Sequence, residues 1–138
     1  MKKMGRREFV AAIGAAASYA LFSRGEIVFG GEKMYGLIGK MKAAEGKRDE
    51  LVKILLEGTG DMPGCLSYIV ANDPADPDAI WITEVWDTRA SHETSLKLPS
   101  VQAAIAKGRP LIAGFGERFE TEPVGGHGMV LSSKAEPS

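Results

Sequence analysis

Hydrophobic and polar residues alternate between a strand-like period of two and a helical period several times along the chain. Strict alternation predicts strands, whereas apolar residues recurring three or four positions apart predict helices. The predicted elements are, in chain order, a strand over 33–41, a helix after 45 that ends at 58–60, strands over 65–71 and 80–86, a helix from 88 interrupted at 99, and a strand over 114–122. Two strand–helix–strand units in one sheet predict a ferredoxin-like α+β sandwich of βαββαβ order, with its helices on one face. Alternation in the last strand places Phe115, Glu117 and Phe119 on one face.

The third predicted strand carries bulky groups on both faces. One face has Ile80, Ile82, Glu84 and Trp86, and the other has Trp81, Thr83 and Val85. The helices can cover only one of these faces. Leaving the other in water would be costly, because burying a large apolar side chain is worth roughly 1.5–3 kcal/mol. The pattern therefore predicts a homodimer in which a second copy covers the remaining face.

Composition and charge fit one ordinary globular domain, which we place at residues 31–124. The chain has 138 residues, and its formal net charge is −1. The first twenty residues carry a local charge of +3, which leaves −4 for the rest. An acidic domain of this kind argues against nucleic acid as a partner.

Residues 1–30 predict a twin-arginine-like signal peptide followed by a linker. Arg6-Arg7-Glu8-Phe9-Val10 lies before a short apolar run, and Ser18-Tyr19-Ala20 provides a small-x-small cleavage site. These features predict an exported protein, periplasmic or extracellular, with no stable membrane span after cleavage. An uncleaved anchor is the alternative interpretation. Residues 125–138 predict a flexible tail.

The chain offers few groups for metal or cofactor chemistry. Cys65 is the only cysteine, so no disulfide can form within one chain, and the two histidines lie far apart in sequence. No metal-ligand spacing and no dinucleotide or phosphate loop is present. We therefore predict no metal and no cofactor.

Glu84, Trp86 and His92 form the strongest candidate site. Glu84 and Trp86 share a strand face, and the helix that Thr88 can cap would bring His92 back over that face. A carboxylate, an indole and an imidazole would then meet at the end of an apolar pocket, which is a common composition for small-molecule sites. Structural roles are the alternatives: Glu84 could pair with a cross-strand Arg118, Trp86 could belong to the core, and His92 could bond the loop.

Two further residues are candidates for substrate binding. Tyr68 could reach the same pocket or only fill the sheet, and Arg109 could guard its mouth or be a solvated charge at a helix end. We predict both as substrate-binding residues.

Residues 34 to about 126 resemble the antibiotic biosynthesis monooxygenase superfamily, specifically its small quinol monooxygenase-like members. The matching positions are Gly64-Cys65-Leu66-x-Tyr68, the Asp-Pro loop, Glu84-Val85-Trp86 and His92. The resemblance implies a dimeric α/β barrel and oxygen chemistry on electron-rich aromatic or quinol substrates, often without metal or flavin. Haem-degrading relatives carry an Asn on the first strand; this chain has none there, which counts against haem oxygenation.

Two functional hypotheses follow. In the first, a cofactor-independent monooxygenase or quinol oxidase uses O₂ on a small aromatic or hydroquinone; His92 takes a phenolic proton, Glu84 orients that base, and Trp86 stacks on the ring. In the second, a dimeric protein binds a small aromatic ligand without turning it over. The second hypothesis needs Trp86 and the pocket shape but no titrating histidine.

Overall fold

A four-stranded antiparallel sheet with helices on one side forms the fold. The computed structural model describes residues 32–129, so the predicted signal segment and most of the predicted tail lie outside the described residues. The elements are β1 (Tyr35–Ala43), α1 (Arg48–Gly58), β2 (Cys65–Asn72), β3 (Ala79–Trp86), α2 (Arg89–Ser95), α3 (Pro99–Gly108), a 3₁₀ turn (Arg109–Leu111) and β4 (Ile112–Thr121). The strand order is β2-β3-β1-β4. The predicted ferredoxin-like βαββαβ fold is confirmed.

The two faces of the sheet have different surroundings. On the helix-covered face, Ile80, Ile82 and Trp86 of β3 are buried, as the alternation predicted. The opposite face carries a row of four residues across the strands, namely Ile69, Thr83, Ile38 and Phe119. Ile69 and Phe119 are 56% and 52% exposed. A mainly apolar row with two half-exposed large side chains therefore crosses this face within the single chain.

The core between sheet and helices consists of two clusters. The larger contains Met41, Leu51 and Ile80, with Leu51 and Ile80 completely buried. The smaller contains Tyr35, Trp86 and other residues at the opposite end of the sheet. No helix among residues 32–129 is long and apolar enough to span a membrane.

The predicted alternation along the last strand is wrong. Phe115 lies opposite Met41, on the helix-covered face, whereas Phe119 lies opposite Ile38 on the other face. The register between β1 and β4 shifts between these two pairs. A β-bulge inserts an extra residue, so the alternation changes face across it.

Candidate functional site

The end of β3 and the following α2 bring together the three residues of the strongest sequence prediction. Trp86 Nε1 donates a hydrogen bond of 2.8 Å to Glu84 Oε2, and His92 Nε2 lies 3.8 Å from the same oxygen. Thr88 Oγ1 accepts a hydrogen bond from the Ser91 amide and so caps α2. This cap fixes the first turn of the helix and directs His92 inward over β3.

His92 is held between two aromatic rings. Its ring centroid lies 5.5 Å from that of Trp86, in an edge-on arrangement, and 5.3 Å from that of Tyr35. Ser95 Oγ donates a hydrogen bond to the carbonyl oxygen of His92. The imidazole is therefore enclosed by its neighbours, and only 3% of the residue is exposed.

A cavity of about 160 Å³ lies between the sheet and the helices, beside these three residues. Its walls are mainly apolar and include Leu37, Leu55, Tyr68, Ile82 and Ile105. Gly39 forms part of the floor, and a Cβ atom built on it would have no heavy atom within 4 Å. An engineered apolar cavity of about 150 Å³ binds benzene, so this cavity has the volume for one aromatic ring.

Burial shifts the pKa of the Glu84 carboxyl group. Loss of solvent raises its pKa from 4.5 to about 7, although the Trp86 hydrogen bond and the positive charge of Arg118 oppose the shift. Near neutral pH this side chain therefore exists both as carboxylate and as acid. A carboxyl group poised in this way can accept or release a proton during catalysis.

Burial lowers the pKa of His92, whereas it raises that of Glu84. Desolvation, with the nearby charges of Arg118 and Arg89, lowers its pKa to about 4. The 3.8 Å separation from Glu84 would allow an ion pair, but it exceeds hydrogen-bond length and neither pKa shift favours the charged form. His92 is therefore neutral at pH 7, and its Nδ1 has no hydrogen-bond partner among the described residues.

The structure brings Tyr68 to the cavity but does not bring Arg109 there. Tyr68 lines the cavity from β2, directly opposite Glu84, and burial strongly raises the pKa of its phenol. Arg109 is exposed in the 3₁₀ turn after α3 and does not line the cavity. The predicted role of Arg109 at the pocket mouth therefore has no geometric support, because the turn leaves its side chain in solvent.

A charged network that the sequence pattern does not predict lies beside the site. Arg89 Nη2 lies 2.7 Å from Glu120 Oε2, and the Tyr35 hydroxyl donates a 3.2 Å hydrogen bond to Glu120 Oε1. Arg118 Nη1 lies 3.6 Å from the same Glu120 Oε1. Arg118 also lines the cavity. Only the bulge in β4 reveals these positions, because simple alternation from Phe115 would place Arg118 and Glu120 on the opposite face.

The described residues offer little for metal binding or thiol chemistry. No group of three or more His, Cys, Asp or Glu side chains lies together within residues 32–129. Burial raises the pKa of the Cys65 thiol to about 11, so it is protonated at neutral pH. A protonated thiol is a poor nucleophile, which leaves the carboxyl and imidazole groups as the candidate chemistry.

The chain is similar to several known proteins in sequence and fold. The family model described as "Antibiotic biosynthesis monooxygenase" matches residues 34–107. A solved structure from Chloroflexus aurantiacus J-10-fl, named "putative Antibiotic biosynthesis monooxygenase", is 69% identical, covers 70% of this chain and 99% of its own, and has a TM-score of 0.69. Similarly named structures from Deinococcus radiodurans and Caulobacter crescentus CB15 are 27% and 20% identical, with TM-scores of 0.56 and 0.62. They cover 67% and 68% of this chain, and 94% and 92% of their own. No curated protein matches the chain.

Proposed function

Because the chain belongs to the antibiotic biosynthesis monooxygenase family, we propose that it is a cofactor-independent monooxygenase or quinol oxidase. Its substrates would be O₂ and a small aromatic compound or hydroquinone. The observation that carries this proposal is the position of the largely buried Glu84 carboxyl at the end of a ring-sized apolar cavity, where loss of solvent raises its pKa. A phenol seated in that cavity would place a weakly acidic O–H group beside a proton acceptor.

We assign the proton transfer to Glu84 and a positioning role to His92. The sequence alone indicates the reverse, with His92 as the base. An imidazole whose pKa falls to about 4 is a poor proton acceptor, whereas the Glu84 carboxylate accepts a proton near pH 7. Neutral His92 instead fixes the substrate or the carboxyl group from its place between Tyr35 and Trp86.

Removing the phenolic proton is useful because a phenolate gives an electron to O₂ more readily than a phenol does. In an oxidase reaction, a hydroquinone loses two electrons and two protons, and O₂ becomes H₂O₂. In a monooxygenase reaction, one oxygen atom enters the ring and the other leaves as water, with all four electrons supplied by the substrate. Both reactions begin with the same proton transfer to Glu84.

Oxygen uptake with a panel of hydroquinones tests the proposal. The purified mature protein should accelerate uptake, and Glu84→Gln should lower the rate by about 10²–10⁴-fold. Glu57→Gln is the matched control, since Glu57 is an exposed carboxylate on α1. His92→Gln should lose less activity than Glu84→Gln. If no hydroquinone accelerates uptake, the enzyme proposal fails; ring binding without turnover would instead support the ligand-binding alternative.

We further propose that two copies pack through the uncovered sheet face. The support is the mainly apolar row of Ile69, Thr83, Ile38 and Phe119, which no helix within residues 32–129 covers. Burying two large side chains such as Ile69 and Phe119 would contribute roughly 1.5–3 kcal/mol each. Export remains a proposal that rests on the twin-arginine-like sequence of residues 1–30.

A further inference from the structure

Arg118 lies on the cavity side of the sheet because of the bulge in β4. Gly39 has Arg118 opposite it on β4 and Ile82 opposite it on β3. Directly opposed residues of neighbouring strands project to the same face. Since Gly39 has no side chain, no group on β1 separates the cavity from Arg118 at this level of the sheet. The guanidinium group can therefore reach a ligand lying over Gly39.

The contacts of Arg118 leave donors for such a ligand. Its nearest carboxylate oxygen, Glu120 Oε1, is 3.6 Å away and also accepts a hydrogen bond from Tyr35. The other oxygen of Glu120 is occupied at 2.7 Å by Arg89. A guanidinium group has five N–H donors, and one long contact does not use them all. The side chain is 32% exposed, so it can also adjust its position.

Among residues 32–129, Arg118 is the cation that lines this cavity from its own side of the sheet, since Arg89 pairs with Glu120 and does not line it. Lys40 also contributes to the lining, but its Nζ lies 3.1 Å from Asp73 and over the Trp81 ring, on the other face of the sheet. His92 is neutral at pH 7. The titratable and charged groups that share this end with Arg118 are Tyr35, Tyr68, Glu84, Arg89, His92, Glu117 and Glu120. Arg118 would therefore be the positive charge that pairs with an anion formed inside the cavity.

We propose that Arg118 binds the anionic oxygen of a single-ring hydroxyarene held over Gly39, and so selects substrates that react as phenolates. This proposal rests on the proposed function, and it names the substrate class and a residue that recognises it. When the phenolic O–H bond breaks, the proton forms an O–H bond with Glu84, and the electron pair stays on the phenol oxygen. The negative charge moves from carboxylate to substrate, while Arg118 remains nearby to stabilise it.

Binding of 4-nitrophenol tests this proposal without turnover, since the visible absorbance of this phenol reports its ionisation. Arg118→Gln should weaken phenolate binding by about ten- to a hundredfold, as expected for the loss of a charge-assisted hydrogen bond. It should also reduce the ionised fraction of the bound ligand. Arg118→Lys should restore part of both effects, and the uncharged 4-nitroanisole should bind Arg118→Gln and unmutated protein equally. Arg109→Gln is the matched control, because Arg109 lies outside the cavity.

The size of the ligand is tested with 4-nitro-1-naphthol, which has two fused rings and should bind at least tenfold more weakly than 4-nitrophenol. The proposal is overturned if the unmutated protein does not bind 4-nitrophenolate, if Arg118→Gln leaves binding and ionisation unchanged, or if the two-ring phenol binds equally well. Failure of the proposed function has a different signature. In that case Arg118 would control phenolate binding as described, but no hydroquinone would accelerate oxygen uptake.

Discussion

Replacing Gly39 by Ala should stabilise the protein and weaken its binding of aromatic ligands at the same time. Gly39 lies in the interior of β1 and has no positive φ, so alanine can adopt its conformation without strain. The new methyl group would meet no heavy atom within 4 Å, because it would project into the cavity. Most substitutions that block a site also disturb the fold, which makes this position unusually informative.

Both effects have magnitudes that follow from the structure. Glycine in a strand costs roughly 0.5–1 kcal/mol relative to alanine, so Gly39→Ala should raise the free energy of unfolding by about that amount. For a domain of this size, the melting temperature should rise by about 2–8 °C. The cavity of about 160 Å³ is close to the roughly 150 Å³ that accommodates benzene, so little volume is spare. We therefore expect 4-nitrophenol to bind at least tenfold more weakly.

Thermal unfolding and absorbance titration measure the two effects on one sample. Gly60→Ala is the control, because Gly60 is exposed beyond α1 and its added methyl group would also meet nothing within 4 Å. That variant should bind 4-nitrophenol as the unmutated protein does. Unchanged ligand binding in a stabilised Gly39→Ala protein would show that the ligand does not lie over Gly39. A destabilised Gly39→Ala protein would show that the space above β1 is already filled.

Three other predictions use independent measurements. Folding raises the pKa of Glu84 from 4.5 to about 7, so this carboxyl makes the fold less stable as pH rises across that window. Relative to unmutated protein, Glu84→Gln should gain roughly 3 kcal/mol in the free energy of unfolding, measured by chemical denaturation, between those pH values. A pH-independent difference would contradict the shift. Val85 lies on the uncovered sheet face, so Val85→Glu should convert a dimer into monomer or aggregate by light scattering, and a monomeric unmutated protein would refute the assembly. Replacing Arg6 and Arg7 by Lys should retain the protein in the cytoplasm on cell fractionation, and continued export would exclude the twin-arginine route.

Much of the fold could be predicted because local signals and the global fold agree. The faces of β3 followed from strict alternation, and the position of His92 followed from Thr88 as the first cap of α2. The predicted interruption at residue 99 is also present, and Pro99 is the first residue of α3. Proline suits a first helical position, because the amide that it lacks would have no partner within the helix.

The chemistry of the candidate site could not be predicted in the same way, because it depends on distances across strands rather than along them. From sequence, His92 has the side chain whose ordinary pKa suits a base at neutral pH, and Glu84 does not. Burial raises the pKa of Glu84, whereas burial between Tyr35 and Trp86 and two nearby arginines lower the pKa of His92, and the order is reversed. Composition says nothing about this burial, since each residue type also occurs on surfaces.

Distances across strands also decide the role of Arg118, which the sequence indicates only as a structural partner of Glu84. Strict alternation predicts residues 115, 117 and 119 on one face of the strand and Arg118 on the other. The bulge changes that relation within three residues, and its sequence signal is weak: Gly114 and Gly116 flank Phe115, as glycines often do where a strand bends. Gly116 also lies where an added Cβ would press on the Lys40 side chain at 3.1 Å. Gly116→Val should therefore disturb the bulge and displace Arg118, and we expect it to lose phenolate binding as Arg118→Gln does. If Gly116→Val keeps full phenolate binding and a native fold, the bulge does not position the guanidinium group.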